Sequence, residues 1–238
     1  MIVAAVLAGG VGSRLGLGKP KQFLEMAGKT ILEHTVQVFE DHPGIDEIVI
    51  VMHGQYLEEA RALVVKNGWK KVKALLNGGK ERYESSVAAL KAYENHPDRK
   101  NIKILFHDAV RPLVSAAIID RTLEALKEHE AVNVAIPSTD TVLELDESRQ
   151  FIKAIPDRSY LRRCQTPQAF SYELIHRGYE LAMADQQLVA TDDCGIIIRY
   201  LPQIPVFVVE GEGTNMKLTY PEDITILERL FQLKAVKK

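Results

Sequence analysis

Only two of the 238 residues are cysteine, Cys164 and Cys194, and neither sits in a Cys-x-x-Cys or Cys/His spacing. That excludes a disulfide framework and a structural zinc site, and points to free thiols in a reducing cytoplasm. Long apolar runs are missing too, since no stretch approaches the roughly 18 residues of a membrane span. The first run, residues 2–8, has no basic segment before it and is cut off by Gly9 and Gly10. It reads as a buried strand rather than a secretion signal. An excess of charge of one sign is lacking as well. Thirty Lys and Arg face 32 Asp and Glu, leaving a formal net charge of -2, so nothing draws the whole molecule to nucleic acid or to an anionic membrane. Two nucleotide signatures are absent. There is no G-x-x-x-x-G-K-[ST], and Gly10-x-Gly12 is followed at position 15 by Leu15 where a dinucleotide fingerprint needs a third glycine.

What is present is alternation. Apolar strand patterns over 2–8, 47–52, 71–76, 102–107 and 132–137 are separated by helical patterns over 30–39, 56–67, 82–93 and 115–130. The order strand, helix, strand predicts an α/β chain with a mostly parallel sheet and helices on both faces. Residues 139–156 break the pattern. They read as two short strands around the turn Asp146-Glu147-Ser148, a protruding β-hairpin arm whose Val142, Leu143, Leu145, Phe151 and Ile152 need cover. A second copy of the chain would supply it, so a homodimer is expected. Further helices are expected over 171–183 and 221–234, with a strand over 206–209. No linker or repeat divides the chain, so residues 1–238 read as one domain carrying the arm.

Four groups of residues carry chemistry. The first strand runs into Ala8-Gly9-Gly10-Val11-Gly12, followed by Arg14 and by Lys19-Pro20-Lys21-Gln22. Bare backbone lets N–H groups approach phosphate closely, and the cations balance a triphosphate of about four negative charges. Gly78 and Gly79 mark the next strand end, with Ser85 on the following helix placed to bond a nucleotide. His107-Asp108-Ala109-Val110-Arg111-Pro112 follows another strand. Asp108 is the residue to hold Mg²⁺ beside phosphates, Arg111 can grip a second phosphate, and His107 reads as a packed residue rather than a catalyst. The fourth group comprises Asp157-Arg158, Gln165-Thr166-Pro167-Gln168, Thr191-Asp192-Asp193 and Asn215-Met216-Lys217. Each member is by itself a turn or cap feature, though Lys217, among apolar and small neighbours, suits a pocket.

Taken together and in this order, these motifs resemble the CTP-dependent cytidylyltransferases acting on methylerythritol phosphate and on ribitol 5-phosphate, over residues 2 to about 228. The resemblance implies a Rossmann-like sheet with a dimerising β-arm, CTP as substrate and a divalent cation such as Mg²⁺. It implies that Arg14 and Lys21 stabilise charge at the α-phosphate with Lys217 beside them, and that Asp108 holds the metal. Ala8, Gly9, Gly10, Gly12, Gly78, Gly79 and Ser85 would bind the nucleotide. The acceptor phosphate would meet Lys217 and, from the partner's arm region, Thr141 and Arg158, while Arg111, Thr166 and Thr191 line the polyol pocket.

For the acceptor, Ala8-Gly9-Gly10, Val110 and Thr191-Asp192-Asp193-Cys194 are similar to the ribitol type. Thr219-Tyr220-Pro221-Glu222-Asp223 is closer to the methylerythritol type, and Ala109 stands where enzymes of the ribitol type commonly resemble one another in a serine. The expected acceptor is therefore D-ribitol 5-phosphate, giving CDP-ribitol, with 2-C-methyl-D-erythritol 4-phosphate as the alternative. A reading from another class, a non-catalytic nucleotide-binding regulator, would keep the glycines and lose Arg14, Lys21, Asp108 or Lys217, all of which are present.

Overall fold

The computed structural model describes residues 1–10 and 20–236. The strands are β1 (Ile2–Ala8), β2 (Glu25–Met26), β3 (Lys29–Thr30), β4 (Glu47–Met52), β5 (Val72–Asn77), β6 (Lys103–Asp108), β7 (Ala131–Pro137), β8 (Glu144–Leu145), β9 (Ile152–Ala154), β10 (Arg162–Ser171) and β11 (Phe207–Glu210). The helices are α1 (Ile31–Asp41), α2 (Leu57–Asn67), α3 (Arg82–Lys91), α4 (Ala116–Ala125), α5 (Tyr172–Ala184), α6 (Asp193–Tyr200) and α7 (Glu222–Val236). None of them is long and apolar enough to cross a membrane.

Seven strands form one sheet in the order β11-β7-β10-β6-β1-β4-β5. β6, β1, β4 and β5 are parallel, and β10 is antiparallel to both of its neighbours. The unbroken apolar run of β1 follows from cover on both faces. Val3, Ala5 and Leu7 pack in the core beneath α3, α5 and α6, and Ala4, Val6 and Ala8 in the core beneath α1, α2 and α4. A third, smaller core joins Met26, Ile31, Val110 and Leu113 to Leu218 and to Leu227 of α7. Helix boundaries follow local chemistry. Thr30 and Glu33 form a reciprocal capping box at the start of α1, and α2 ends on Gly68 in the left-handed region.

The chain moves outward from β1 through β4 to β5, then returns to β6 on the other flank of β1. Strand order reverses there, which opens a crevice beyond the carboxyl ends of the strands. Leu7 is level with Asp108, Ala8 with Met52, and Met52 with Asn77, so four strand ends form one rim.

Two sequence expectations change. Residues 162–171, read only as a motif, form β10 in the middle of the sheet. Pro167 argues against a central strand, because it cannot donate to the ladder. The register shift between Cys164 and Gln168 accommodates it. The arm is present, but its paired part is limited to β8 and β9, closed by an Asp146 side chain that accepts from Ser148, Gln150 and Phe151. Phe151, Ile152 and Tyr160 are 68 %, 58 % and 86 % exposed, so the chain itself does not cover the arm.

Candidate active site

A cleft of about 330 Å³ lies at the rim. Its floor is backbone, from Ala8, Gly9 and Gly10 on one side and Gly79 on the other. Between them the Ser85 hydroxyl is wedged so tightly that a Cβ at Gly9 would come within 2.9 Å of it, and one at Gly78 within 2.7 Å. Glycine at these two positions is therefore a packing requirement. Gln22, almost fully buried, holds the floor by donating to the carbonyls of Ala8 (2.7 Å) and Gly10 (3.2 Å). A neighbouring cleft of about 490 Å³ shares Gly9, Gly10 and Gly79 and extends to His53 and Asn77.

The cleft's charged wall centres on Asp108 at the end of β6. Lys217 Nζ lies 2.9 Å from its Oδ2, Arg111 Nε 3.5 Å from the same oxygen, and Arg82 Nε 3.5 Å from Oδ1. Burial opposes the charged form, but Lys217, Arg82 and Arg111 overcome it and hold the carboxyl well below the usual carboxylate range. Arg82 also reaches back to Asp193, fully buried at the start of α6, at 2.6 Å. Lys21 Nζ donates to the Leu218 carbonyl at 2.8 Å and lines the same cleft. Lys21, Lys80, Arg82, Arg111 and Lys217 stand against Glu81, Asp108 and Asp193, a cationic excess that suits a polyphosphate.

Lys217 is delivered by a strap, residues 215–219. Arg111 Nη1 donates to the Asn215 carbonyl (2.8 Å), and Leu218 N–H donates to the Val110 carbonyl (2.9 Å). Asn215, fully buried, donates to the Thr166 carbonyl (2.8 Å).

Behind Asp108 runs a closed chain of hydrogen bonds. Asp108 N–H donates to Thr166 Oγ1 (3.1 Å), and that hydroxyl bonds His107 Nδ1 (3.0 Å). His107 Nε2 lies 3.2 Å from the Arg111 carbonyl, which can only accept, so the ring carries its proton on Nε2. Burial pushes the His107 pKa from 6.5 down to about 4, against the pull of Asp108. Between these values the unfolded chain binds a proton that the folded one rejects, so stability is lost as pH falls from 6.5 toward 4. The full shift corresponds to about 3 kcal/mol, of which about 2 is lost by pH 5. Urea unfolding at pH 7.5 and pH 5 should show this loss in the wild type, and His107→Gln should lack that part of the pH dependence.

The structure brings Ala8, Gly9, Gly10, Gly79, Ser85, Lys21, Lys217 and Asp108 to one cleft, with Gly78 beside Ser85. Gly12 and Arg14 lie outside the described residues. Arg111 and Thr166 are nearly buried beneath Asp108, their polar atoms turned to protein partners. Thr191 is exposed ahead of α6, and Thr141 and Arg158 are exposed on and beside the arm, away from the cleft wall. Among the described residues no three His, Cys, Asp or Glu side chains form a metal cage. Asp108 Oδ1 is approached among the described residues by Arg82 at 3.5 Å, so a Mg²⁺ bringing phosphate and water oxygens as its other ligands would have to share this oxygen with that guanidinium. Sequence reasoning gave no role to Arg82, Gln22 or Asp193. Their signal was their place inside the motifs, which residue letters could not convert into contacts.

Comparison with known proteins identifies the family. Residues 2–232 match the family model described as IspD, 2-C-methyl-D-erythritol 4-phosphate cytidylyltransferase. The 2-C-methyl-D-erythritol 4-phosphate cytidylyltransferase of Thermobifida fusca is 47 % identical over 97 % of this chain and 93 % of its own. The bifunctional ribulose 5-phosphate reductase/CDP-ribitol pyrophosphorylase of Haemophilus influenzae is 41 % identical over 98 % of this chain, which spans 48 % of that protein. The crystal structure of 4-diphosphocytidyl-2C-methyl-D-erythritol synthase from Anaerococcus prevotii superposes with a TM-score of 0.85 at 30 % identity, covering 98 % of this chain and 96 % of that one.

These similarities back the methylerythritol acceptor better than the ribitol acceptor expected from sequence. Of the positions that leaned to ribitol, Ala8, Gly9, Gly10 and Val110 do line the cleft. Gly9 also packs on Ser85, Val110 is buried with Leu113 and Leu218, and Cys194 of α6 is buried in the core with Tyr179 and Ile197.

Proposed function

Because this chain belongs to the 2-C-methyl-D-erythritol 4-phosphate cytidylyltransferase (IspD) family of nucleotidyltransferases, we propose that it transfers CMP from CTP to 2-C-methyl-D-erythritol 4-phosphate with release of pyrophosphate. The observation that carries the acceptor is the 47 % identity, along nearly the whole of both chains, to the Thermobifida fusca enzyme of that name. D-Ribitol 5-phosphate remains the second reading, favoured by the 41 % identity to the Haemophilus influenzae protein.

The chemistry follows from charge. The acceptor's attacking oxygen belongs to a phosphate monoester and is already anionic, so no strong general base is required. The obstacle is bringing two polyanions together. Lys21 and Lys217, with Arg14, offset that repulsion and stabilise charge at the α-phosphorus during in-line attack. Mg²⁺ held by Asp108 would supply further charge neutralisation on the triphosphate. The backbone at Gly9, Gly10, Gly78 and Gly79, with Ser85, positions the nucleoside. Arg111 and Thr166 set the floor under the acceptor by fixing the turn after β6, and Thr191 stands at its edge. The exposed apolar arm pairs with a second copy, and the partner subunit's Thr141 and the partner subunit's Arg158 complete the acceptor phosphate site.

Pyrophosphate release with CTP and Mg²⁺, measured in parallel with the two acceptors, tests this reading. The expected result is a preference of at least about tenfold in kcat/KM for the methylerythritol phosphate, the size that one or two pocket contacts supply. An equal or reversed preference would move the chain to the ribitol reading, and CTP binding without turnover on either would favour a regulator.

A further inference from the structure

The start of α7 does not line the cleft, and the reaction above gives it no part. Asp223, in its first turn, is half-buried and aims one oxygen back along the chain. Oδ2 accepts the Thr219 N–H and the Tyr220 N–H, both at 2.7 Å. The Asp223 N–H donates to the Tyr220 carbonyl at 3.1 Å, which closes the turn from both sides. Bonds of this kind cap a helix, and capping α7 is one task of this carboxylate.

The bond to Thr219 reaches further. Its N–H shares one planar peptide group with the Leu218 carbonyl, and in this trans peptide the two point in opposite directions. Both ends of that group are held. Lys21 Nζ, in the cleft, donates to the Leu218 carbonyl at 2.8 Å, and Asp223 takes the N–H on the other side. An ammonium, a peptide dipole and a carboxylate stand in line, each polarising the next. Leu218 is fully buried with Met26, Val110 and Leu227, and its own N–H donates to the Val110 carbonyl at 2.9 Å. That pins the near end of the peptide and leaves the far end to Asp223.

We infer that Asp223 is a positioning residue which, acting through the Leu218–Thr219 peptide, fixes a carbonyl that holds the Lys21 ammonium in the cleft, a role that rests on the reading of Lys21 as a cation of the transfer step. Without the carboxylate, the Thr219 N–H turns to another acceptor and the Leu218 carbonyl turns with it. The long Lys21 side chain then spreads over several rotamers. Lys217 is held separately, through the Arg111 bond to the Asn215 carbonyl.

Two readouts on the full chain test this. One is steady-state kcat. The other is the rate at which an amine-acylating ester modifies Lys21, followed by peptide mass spectrometry. In Asp223→Ala, kcat is expected to fall about tenfold, as for a catalytic group displaced by part of an ångström. Lys21 is expected to be acylated at least about threefold faster, since its contact is loosened. Asp223→Asn offers an uncharged oxygen to the same two N–H groups and is expected to keep both readouts within about twofold of the wild type. In a Lys21→Ala background, Asp223→Ala is expected to change kcat by less than about twofold, because no ammonium is left to place.

Unchanged acylation in Asp223→Ala overturns the inference. So does a loss of kcat as large in the Lys21→Ala background as in the wild type, which would make Asp223 a cap of α7 and nothing more. Should Asp223→Ala not fold, Lys21→Ala decides from the other end. Coupling is reciprocal, so amide hydrogen exchange at Thr219 and Tyr220 is expected to speed up there, and unchanged exchange sinks the inference. A Lys21→Ala enzyme of near-normal kcat, beside faster acylation in Asp223→Ala, refutes the part of Lys21 in the transfer step and leaves Asp223 holding a lysine that the reaction does not use.

Discussion

Lys217→Ala is expected to lower kcat by two to three orders of magnitude, roughly what the loss of one charge-stabilising donor costs in a preorganised site. The fold should survive. Lys217 is partly exposed, and Asp108 keeps Arg82 and Arg111 when the ammonium is gone, so no buried charge is orphaned. The strap that carries position 217 is held by contacts that do not use its side chain, the Arg111 bond to the Asn215 carbonyl and the Leu218 bond to the Val110 carbonyl. The alanine therefore removes a charge without moving the backbone that presented it. Steady-state kinetics at saturating CTP, beside a thermal melt, makes the check. A kcat within about threefold of the wild type, when a lost donor should cost far more, would remove Lys217 from the transfer step. A collapse of the melt would show that its pairing with Asp108 is needed for the fold. Lys217→Arg keeps the charge in a larger, planar head, and intermediate activity there would say that charge matters more than shape.

How much of this was legible in the letters depends on where each residue's partners lie. β1 and β4 announce themselves because a strand covered on both faces is apolar almost throughout, and their flanking helices show an amphipathic period. Thr30 and Glu33 are three residues apart, so the capping box they form could be read locally. β10 could not be. Its Pro167 and paired arginines look wrong for a central strand until the register shift and the antiparallel neighbours β6 and β7 are known.

The same division runs through the site. Gly9, Gly10, Lys21, Asp108 and Lys217 each carry a chemical signature in short sequence. The grip of Arg82 on Asp193 spans 111 positions and that of Lys21 on Leu218 spans 197, and both depend on tertiary packing. The acceptor was weighed from letters in the same way, and the similarity to known proteins backs the methylerythritol alternative better than the ribitol reading. Gly9 and Val110 line the cleft yet also pack, on Ser85 and in a small core, while Cys194 is buried in another core.

Mixing two inactive variants, Lys217→Ala and Arg158→Ala, is expected to restore activity, because the proposed site is completed by a second copy of the chain. Arg158 follows the arm and donates within its own chain only to the Thr139 carbonyl, at 3.5 Å. It is exposed and does not line its own cleft. If it reaches the acceptor phosphate across a dimer, each variant alone has two defective sites. A hybrid dimer places both lesions in one site and leaves the other intact. Random exchange makes half of the dimers hybrid, so about a quarter of all sites should regain wild-type turnover, as an isologous two-fold interface requires. Activity that stays at the level of the separate variants after verified subunit exchange would confine the site to a single chain. The same outcome follows if Arg158→Ala alone is fully active. Phe151→Asp supplies the matching control on the interface. A charge on the arm's exposed apolar face should split the dimer in sedimentation and abolish the regain, while leaving the melt of the Rossmann-like sheet almost unmoved. A dimer that persists in Phe151→Asp would place the contact elsewhere than on the arm.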